Sequence, residues 1–325
     1  MNDQLTEVYA SIDALIDYAL AHLDLDPRNA DWTRNQIFAL FRLDSYPGPK
    51  TTTSAASVSD VVQDIVGSRS QAPYGEKTPD PLLAAFRAAA TTAGLFKPEE
   101  GPAYADTIMG ILSANPADLD DRFLLVEHRD GGMAAMQWFY DYCVANNYVK
   151  RAQLDRNPRF DSHGLTVTIN LAKPEFKNMK KAAAGNAVAG GYPKCTICHE
   201  NEGFAGRDKR TLRTLPVTLG GESWFWQFSP YGYFDQHGIC VNTDHTPMHV
   251  DRDTFGHLLD FVDRFPGYFL GCNAALPRIG GSVLAHDHYQ GGGELLPMHK
   301  AATWAAFTLA DYPDAVVEIL DWPGT

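Results

Sequence analysis

Gly280-Gly281-Ser282-Val283-Leu284-Ala285-His286-Asp287-His288-Tyr289-Gln290-Gly291-Gly292-Gly293 is the stretch on which the reading of this chain turns. A β-branched residue and an apolar Leu enclosed by glycines predict one strand, Ser282 to Gln290, with pliant ends. Side chains alternate across a strand, so His286, His288 and Gln290 share one face, and Asp287 and Tyr289 the other. Two imidazoles and an amide thus converge on one surface, and the glycines let a ligand approach the backbone closely. An imidazole can ligate a metal, shuttle a proton or attack phosphorus as a neutral nucleophile. The bland alternative is a histidine-rich edge strand without chemistry.

Working outward, the sequence changes texture twice. Leu5, Val8, Tyr9, Ile12, Leu15, Ile16, Ala19 and Leu23 recur at helical spacing, and Pro27 ends that helix. Further helices are predicted from Asp31 to about Leu43, with Trp32, Ile37, Phe38, Leu40 and Phe41 for burial, and from Val58 to Val66. Others follow from Pro81 to Leu95 and, across Pro116 to Val149, on either side of Asp130-Gly131-Gly132. The aromatic stripe of Met136, Phe139, Tyr140 and Cys143 is core packing. From Leu165 the pattern alternates. Strands are predicted at Leu165–Leu171, Arg213–Leu219, Ser223–Phe228, Gly238–Asn242 and Tyr268–Cys272, with a helix from Arg252 to Arg264. Lys173 to Gly191 is expected to be a mobile loop. The expected organisation is α+β: a helical region over residues 1–150, then an antiparallel-rich sheet domain with helices over 151–325.

Composition removes several classes of function. Among 325 residues, 45% are hydrophobic and 21% charged, which is ordinary for a globular protein. A formal net charge of −13 argues against nucleic acid as a partner, since a binder shows a basic face. A nucleotide is still compatible, because a few local donors and backbone amides can hold phosphate. No apolar run is long enough to span a bilayer and no signal peptide begins at Met1, so no membrane association is expected. Five cysteines, an odd count, suit a reduced compartment, and the expected location is cytoplasmic.

Cys195-Thr196-Ile197-Cys198 places two thiols at the spacing that wraps one tetrahedral ion. The same spacing serves a redox pair, but no thioredoxin-like βαβ context follows it. Two buried thiols with no ligand are the remaining reading.

His286-Asp287-His288-Tyr289-Gln290 resembles the active-site strand of the galactose-1-phosphate uridylyltransferases, a branch of the histidine-triad superfamily. Phe265-Pro266-Gly267-Tyr268-Phe269-Leu270-Gly271-Cys272-Asn273-Ala274-Ala275-Leu276-Pro277 is similar to the type 2, bacterial subfamily. So is Tyr192-Pro193-Lys194-Cys195-Thr196-Ile197-Cys198 with Glu200-Asn201-Glu202-Gly203-Phe204-Ala205-Gly206-Arg207 behind it. Type 1 members have Pro between the two histidines; Asp287 stands there, as an acidic residue does in type 2. The resemblance covers the whole chain but not the whole family protein, so a C-terminally truncated form is expected.

The resemblance implies a histidine-triad-like sheet domain, and it implies UMP transfer between UDP-glucose and galactose 1-phosphate in galactose metabolism. His288 would be the nucleophile, with ping-pong kinetics through a uridylyl-histidine, and Gln290 an N–H donor to a non-bridging oxygen. It implies a structural zinc held by Cys195, Cys198, His245 and His286, with thiolate and imidazole favouring zinc over magnesium or calcium. His199 and His249 are the competing ligands. Asn273, Ser282 and Arg207 are implied contacts to phosphate and nucleotide, Arg207 having a surface ion pair as its rival role. UDP-glucose or UDP-galactose and a hexose 1-phosphate would be the ligands, and a homodimer the assembly. Two rival functions stay open. One is a nucleotide hydrolase or phosphorylase of the same superfamily, in which a third histidine stands where Gln290 is; an amide cannot act as a general acid there. The other is an inactive zinc-binding fragment.

Overall fold

The computed structural model describes residues 3–48, 78–172, 191–276 and 283–322. Ser282, the predicted Val58–Val66 helix and the predicted loop from Lys173 lie outside these residues or almost entirely so. Among the described residues, six long helices come first: α1 Asp3–His22, α2 Ala30–Leu40, α3 Asp80–Thr92, α4 Gly101–Leu112, α5 Pro116–Asp130 and α6 Gly132–Ala145. A single turn, α7 (Arg151–Leu154), leads into a small hairpin, β1 Arg159–Ser162 and β2 Leu165–Thr168. Then come β3 Leu215–Leu219, β4 Glu222–Phe228, β5 Gly238–Asn242, α8 Arg252–Arg264, β6 Phe269–Cys272 and β7 His288–Gly292. A second hairpin, β8 Thr303–Leu309 and β9 Tyr312–Leu320, ends the described chain. Helices followed by antiparallel sheets make the α+β architecture expected from the sequence. Among the described residues no helix is long and apolar enough to cross a membrane.

The helical start follows from its periodicity. Val8, Ile12, Leu15, Ile16 and Ala19 of α1, with Leu23 just beyond it, are buried against Ile37 of α2, Leu83 and Phe86 of α3, and Ile108 and Leu112 of α4. Asn115 caps α5 by accepting from Asp118 N at 3.0 Å, and Pro116 occupies its first turn, where the missing N–H costs nothing. Helix α4 carries no strong sequence signal because Gly101, Pro102 and Gly110 punctuate it. Pro102 falls in the first turn, and a Cβ on Gly110 would sit 2.9 Å from Arg210 Cβ, so small size there serves packing. Trp32, predicted to be buried, is 63% exposed on the outer face of α2.

A second core joins α5 and α6 to the larger sheet, whose order is β3-β4-β5-β7-β6, antiparallel throughout. Gly220 and Gly221, at φ +58° and +80°, form the two-residue turn between β3 and β4. Both central residues of such a turn need positive φ. Alternation along the central strands then assigns two faces. Trp224, Trp226, Phe228 and Tyr289 turn toward the helices: Trp226 packs on Phe261 of α8 at 5.1 Å between ring centroids, and Phe228 on Phe139 of α6 at 5.4 Å. A Trp→Ala change at such a site costs about 3–5 kcal/mol. Phe225, Gln227, Ile239, Val241, His288 and Gln290 alternate with that set. The ladder register places Val241 opposite His288 and Ile239 opposite Gln290. The second face therefore carries His288 and Gln290.

The strand predicted over Ser282–Gln290 is displaced. Strand β7 begins at His288 and runs through Gly292, whereas His286 lies on the turn before it. The cause is its neighbour. Strand β5 ends at Asn242, so no ladder partner exists further along, and Asp287 N donates instead to Thr246 O at 2.7 Å while Asn242 N reaches Asp287 O at 3.1 Å.

Candidate active site and metal centre

The Cys195–Cys198 loop lies against the second face of the sheet. Gln227 Nε2 donates to Ile197 O at 3.2 Å, and the His199 ring meets Phe225 edge-on. Asn201, fully buried, donates from Nδ2 to Cys195 O and to Cys198 O, both at 2.8 Å. The loop is thus held by side chains that cap its own carbonyls, and Cys195 N points back at Cys198 Sγ (3.2 Å).

Four donors converge there: Cys195, Cys198, His245 and His286, all ligand atoms within 4.8 Å of one another. Cys195 Sγ lies 3.3 Å from Cys198 Sγ and 3.3 Å from His286 Nδ1; Cys198 Sγ lies 3.2 Å from His245 Nδ1 and 3.6 Å from His286 Nδ1. A tetrahedral ion with ordinary metal–sulfur and metal–nitrogen bonds sets donor–donor separations of roughly 3.3–3.8 Å. The sulfur–sulfur gap is also far too long for a disulfide, and both cysteines are free. His286 adds a chemical test of fit. Its Nε2 faces Asn242 O at 2.8 Å, and a carbonyl only accepts, so Nε2 carries the proton and Nδ1 turns a lone pair into the cluster. The contact between the two thiols holds the Cys195 thiol down at about 7 and pushes Cys198 up to about 11. The four residues therefore fit a metal ion.

His199 and His249 are not in this cluster. His199 Nε2 lies 3.5 Å from Glu202, and His249 lies between Asp251 (3.7 Å) and Asp287 (3.4 Å). Asp287 is wholly buried and its carboxylate oxygens accept no hydrogen bond among the described residues, so burial raises its pKa. It faces His249 and His257 of α8, and it also feels the neighbouring His286.

His288 is next to the cluster along the chain but has no ligand position in it. Its Nδ1 lies 2.8 Å from His286 O, which makes Nδ1 the protonated nitrogen and leaves Nε2 with its lone pair. The side chain is 5% exposed, and this burial lowers its pKa, so the ring is neutral near neutral pH. Gln290, two residues on, is half-buried on the same face. Asn273 follows β6, the strand paired with β7, and its Nδ2 is buried with no acceptor among the described residues. Arg207 closes a short 3-10 turn behind the CxxC loop, donates to Pro193 O at 3.5 Å, and its charge favours the Cys195 thiolate. Sequence reasoning missed Asn201 and Asn242, which orient the ligands; Asn242 acts through its backbone carbonyl, which no residue type announces.

Residues 67–247, more than half of the chain, match the family model described as "Galactose-1-phosphate uridyl transferase, N-terminal domain". A relative from Halalkalibacterium halodurans is 33% identical over 98% of this chain and 61% of its own length. One from Caldanaerobacter subterraneus subsp. tengcongensis is 36% identical over 76% of this chain and 49% of its own. One from Butyrivibrio fibrisolvens is 34% identical over 96% of this chain and 78% of its own. Each carries the name galactose-1-phosphate uridylyltransferase, and the chain spans less than two thirds of the first two. No solved structure matches the chain. With the family model covering over half the chain and relatives aligned along nearly all of it, the chain belongs to the galactose-1-phosphate uridylyltransferase family.

Proposed function

We propose that this chain carries out uridylyl transfer between UDP-glucose and galactose 1-phosphate, as a cytoplasmic enzyme, with His288 as the nucleophile. One observation carries the reading: the 2.8 Å contact of His288 Nδ1 with His286 O, which leaves Nε2 with its lone pair. Attack of Nε2 on the α-phosphorus forms the N–P bond and breaks the bond to the bridging oxygen, releasing glucose 1-phosphate. Galactose 1-phosphate then attacks the uridylylated histidine through a phosphate oxygen, forming UDP-galactose and restoring the imidazole. Neither leaving group needs a proton, which suits an amide rather than a third imidazole at position 290.

The other residues position and neutralise. Gln290 donates an N–H to a non-bridging oxygen, and Asn273 Nδ2, buried with no acceptor among the described residues, is a donor for nucleotide or phosphate. Arg207 adds positive charge near the CxxC loop, and Ser282 is assigned to the same phosphate contacts from the sequence. Zinc is the ion that two thiolates and two imidazoles favour; Cys195, Cys198, His245 and His286 would hold it, and it would crosslink the CxxC loop to the segments that follow β5 and precede β7. All these residues fall within 151–325, to which we assign the catalytic domain, with the helices of 1–150 as its support.

The test is intact-protein mass spectrometry after mixing with UDP-glucose, for wild type, His288→Asn and His286→Asn. Wild type should gain one acid-labile uridylyl group and His288→Asn none. An adduct that persists in His288→Asn would place the nucleophile elsewhere.

A further inference from the structure

The glycines that close β7 do more than end a strand. A Cβ on Gly292 would lie 2.6 Å from the Phe234 ring and 2.7 Å from Asp235 O, and one on Gly232 would lie 2.7 Å from His237 Cβ. These contacts belong to the loop 229–237 between β4 and β5, which packs down on the end of β7. Ser229 N donates to His237 O (2.8 Å), Gly293 N to Asp235 O (3.2 Å) and Asp235 N to Glu294 Oε2 (2.9 Å). Within the loop, Tyr233, Phe234 and His237 pack on one another with ring centroids 4.2–4.8 Å apart, and Phe234 continues onto Phe269 of β6. The result is a rigid aromatic clamp at the end of the strand that bears His288 and Gln290. From it the Tyr233 hydroxyl reaches Gln290 Oε1 at 3.5 Å.

We propose that Tyr233 is a positioning residue that fixes which end of the Gln290 amide faces the substrate. The inference rests on the uridylyl-transfer reading above. A glutamine amide has an acceptor at one end and two donors at the other, whereas a non-bridging phosphoryl oxygen only accepts. With Oε1 on the Tyr233 hydroxyl, both ends of the amide are satisfied when a phosphoryl oxygen arrives. In the flipped amide, Oε1 would face an anionic oxygen and repel it. A phenol stays protonated near neutral pH, so it keeps the proton it donates. Such a contact tightens as the charge to be stabilised develops on the phosphoryl oxygen. Tyr233 touches neither phosphorus nor nucleophile; it acts through Gln290 alone.

The experiment is a double-mutant cycle on the full chain with Tyr233→Phe, Gln290→Ala and the pair, reading the rate of His288 uridylylation by rapid-quench mass spectrometry across UDP-glucose concentrations. Tyr233→Phe keeps the ring packing, and an unchanged thermal midpoint checks this. It should slow adduct formation about tenfold, with half-saturation by UDP-glucose shifted less than about twofold, the size of one lost hydrogen bond. In the Gln290→Ala background the same change should have no further effect. An equal loss in both backgrounds, or none in the wild-type background, overturns the inference. A His288 adduct that slows in Gln290→Ala but not in Tyr233→Phe overturns this inference alone; no adduct on His288 in any variant overturns the uridylyl-transfer reading with it.

Discussion

Replacing Asn201 with alanine should weaken zinc binding about tenfold, although Asn201 is not a ligand. Its Nδ2 serves Cys195 O and Cys198 O at 2.8 Å each, inside a fully buried site. Cys198 O keeps a second partner in Asn201 N at 3.1 Å, so the main loss falls on Cys195 O. A buried acceptor stripped of its partner costs about 1–3 kcal/mol. Asn201 Oδ1 is itself buried without a donor, and removing it recovers part of that cost. The net is about 1.5 kcal/mol, roughly tenfold in affinity if the CxxC loop must be ordered before the ion binds. Asn201→Asp should be worse, because an oxygen then faces two carbonyl oxygens. The assay is competition for zinc against a chromophoric chelator with reduced protein. Asn201→Ala binding within about twofold of wild type would refute the view that this amide organises the site.

Two further outcomes follow from His288 and Gln290. Burial lowers the His288 pKa, so as pH falls the unfolded chain binds this proton before the folded one does. The stability owed to a neutral His288 is therefore complete above about pH 6.5 and is lost as pH drops through that value. His288→Asn should flatten the pH dependence of denaturant unfolding on the acid side of neutrality; identical slopes would contradict a buried neutral imidazole. Gln290→His should raise hydrolysis of UDP-glucose relative to transfer, because an ionisable imidazole can pass a proton to or from water. An unchanged ratio of free UMP to UDP-galactose would remove the reason for preferring a transferase.

Local periodicity and short-range spacing were sufficient for much of this protein. The α1 stripe from Val8 to Leu23, the β5 run Gly238–Asn242 and the α8 span Arg252–Arg264 are legible because each pattern is set by residues within a few positions of one another. The pairing of Cys195 with Cys198 is legible for the same reason. Bringing His245 and His286 to them is a different matter. Those residues lie far along the chain, and only the antiparallel pairing of β5 with β7 carries them to one place. Strand periodicity also predicted His286 on β7, but the neighbour's end at Asn242 decided where the ladder stopped, and a ladder cannot outrun its partner's free backbone groups. Backbone carbonyls are the least legible of all. His286 O and Asn242 O select the tautomers of His288 and His286, and every residue type carries a carbonyl. Residue identity determined which groups can do chemistry; the fold decided which nitrogen holds the proton, because that depends on an acceptor brought close through space.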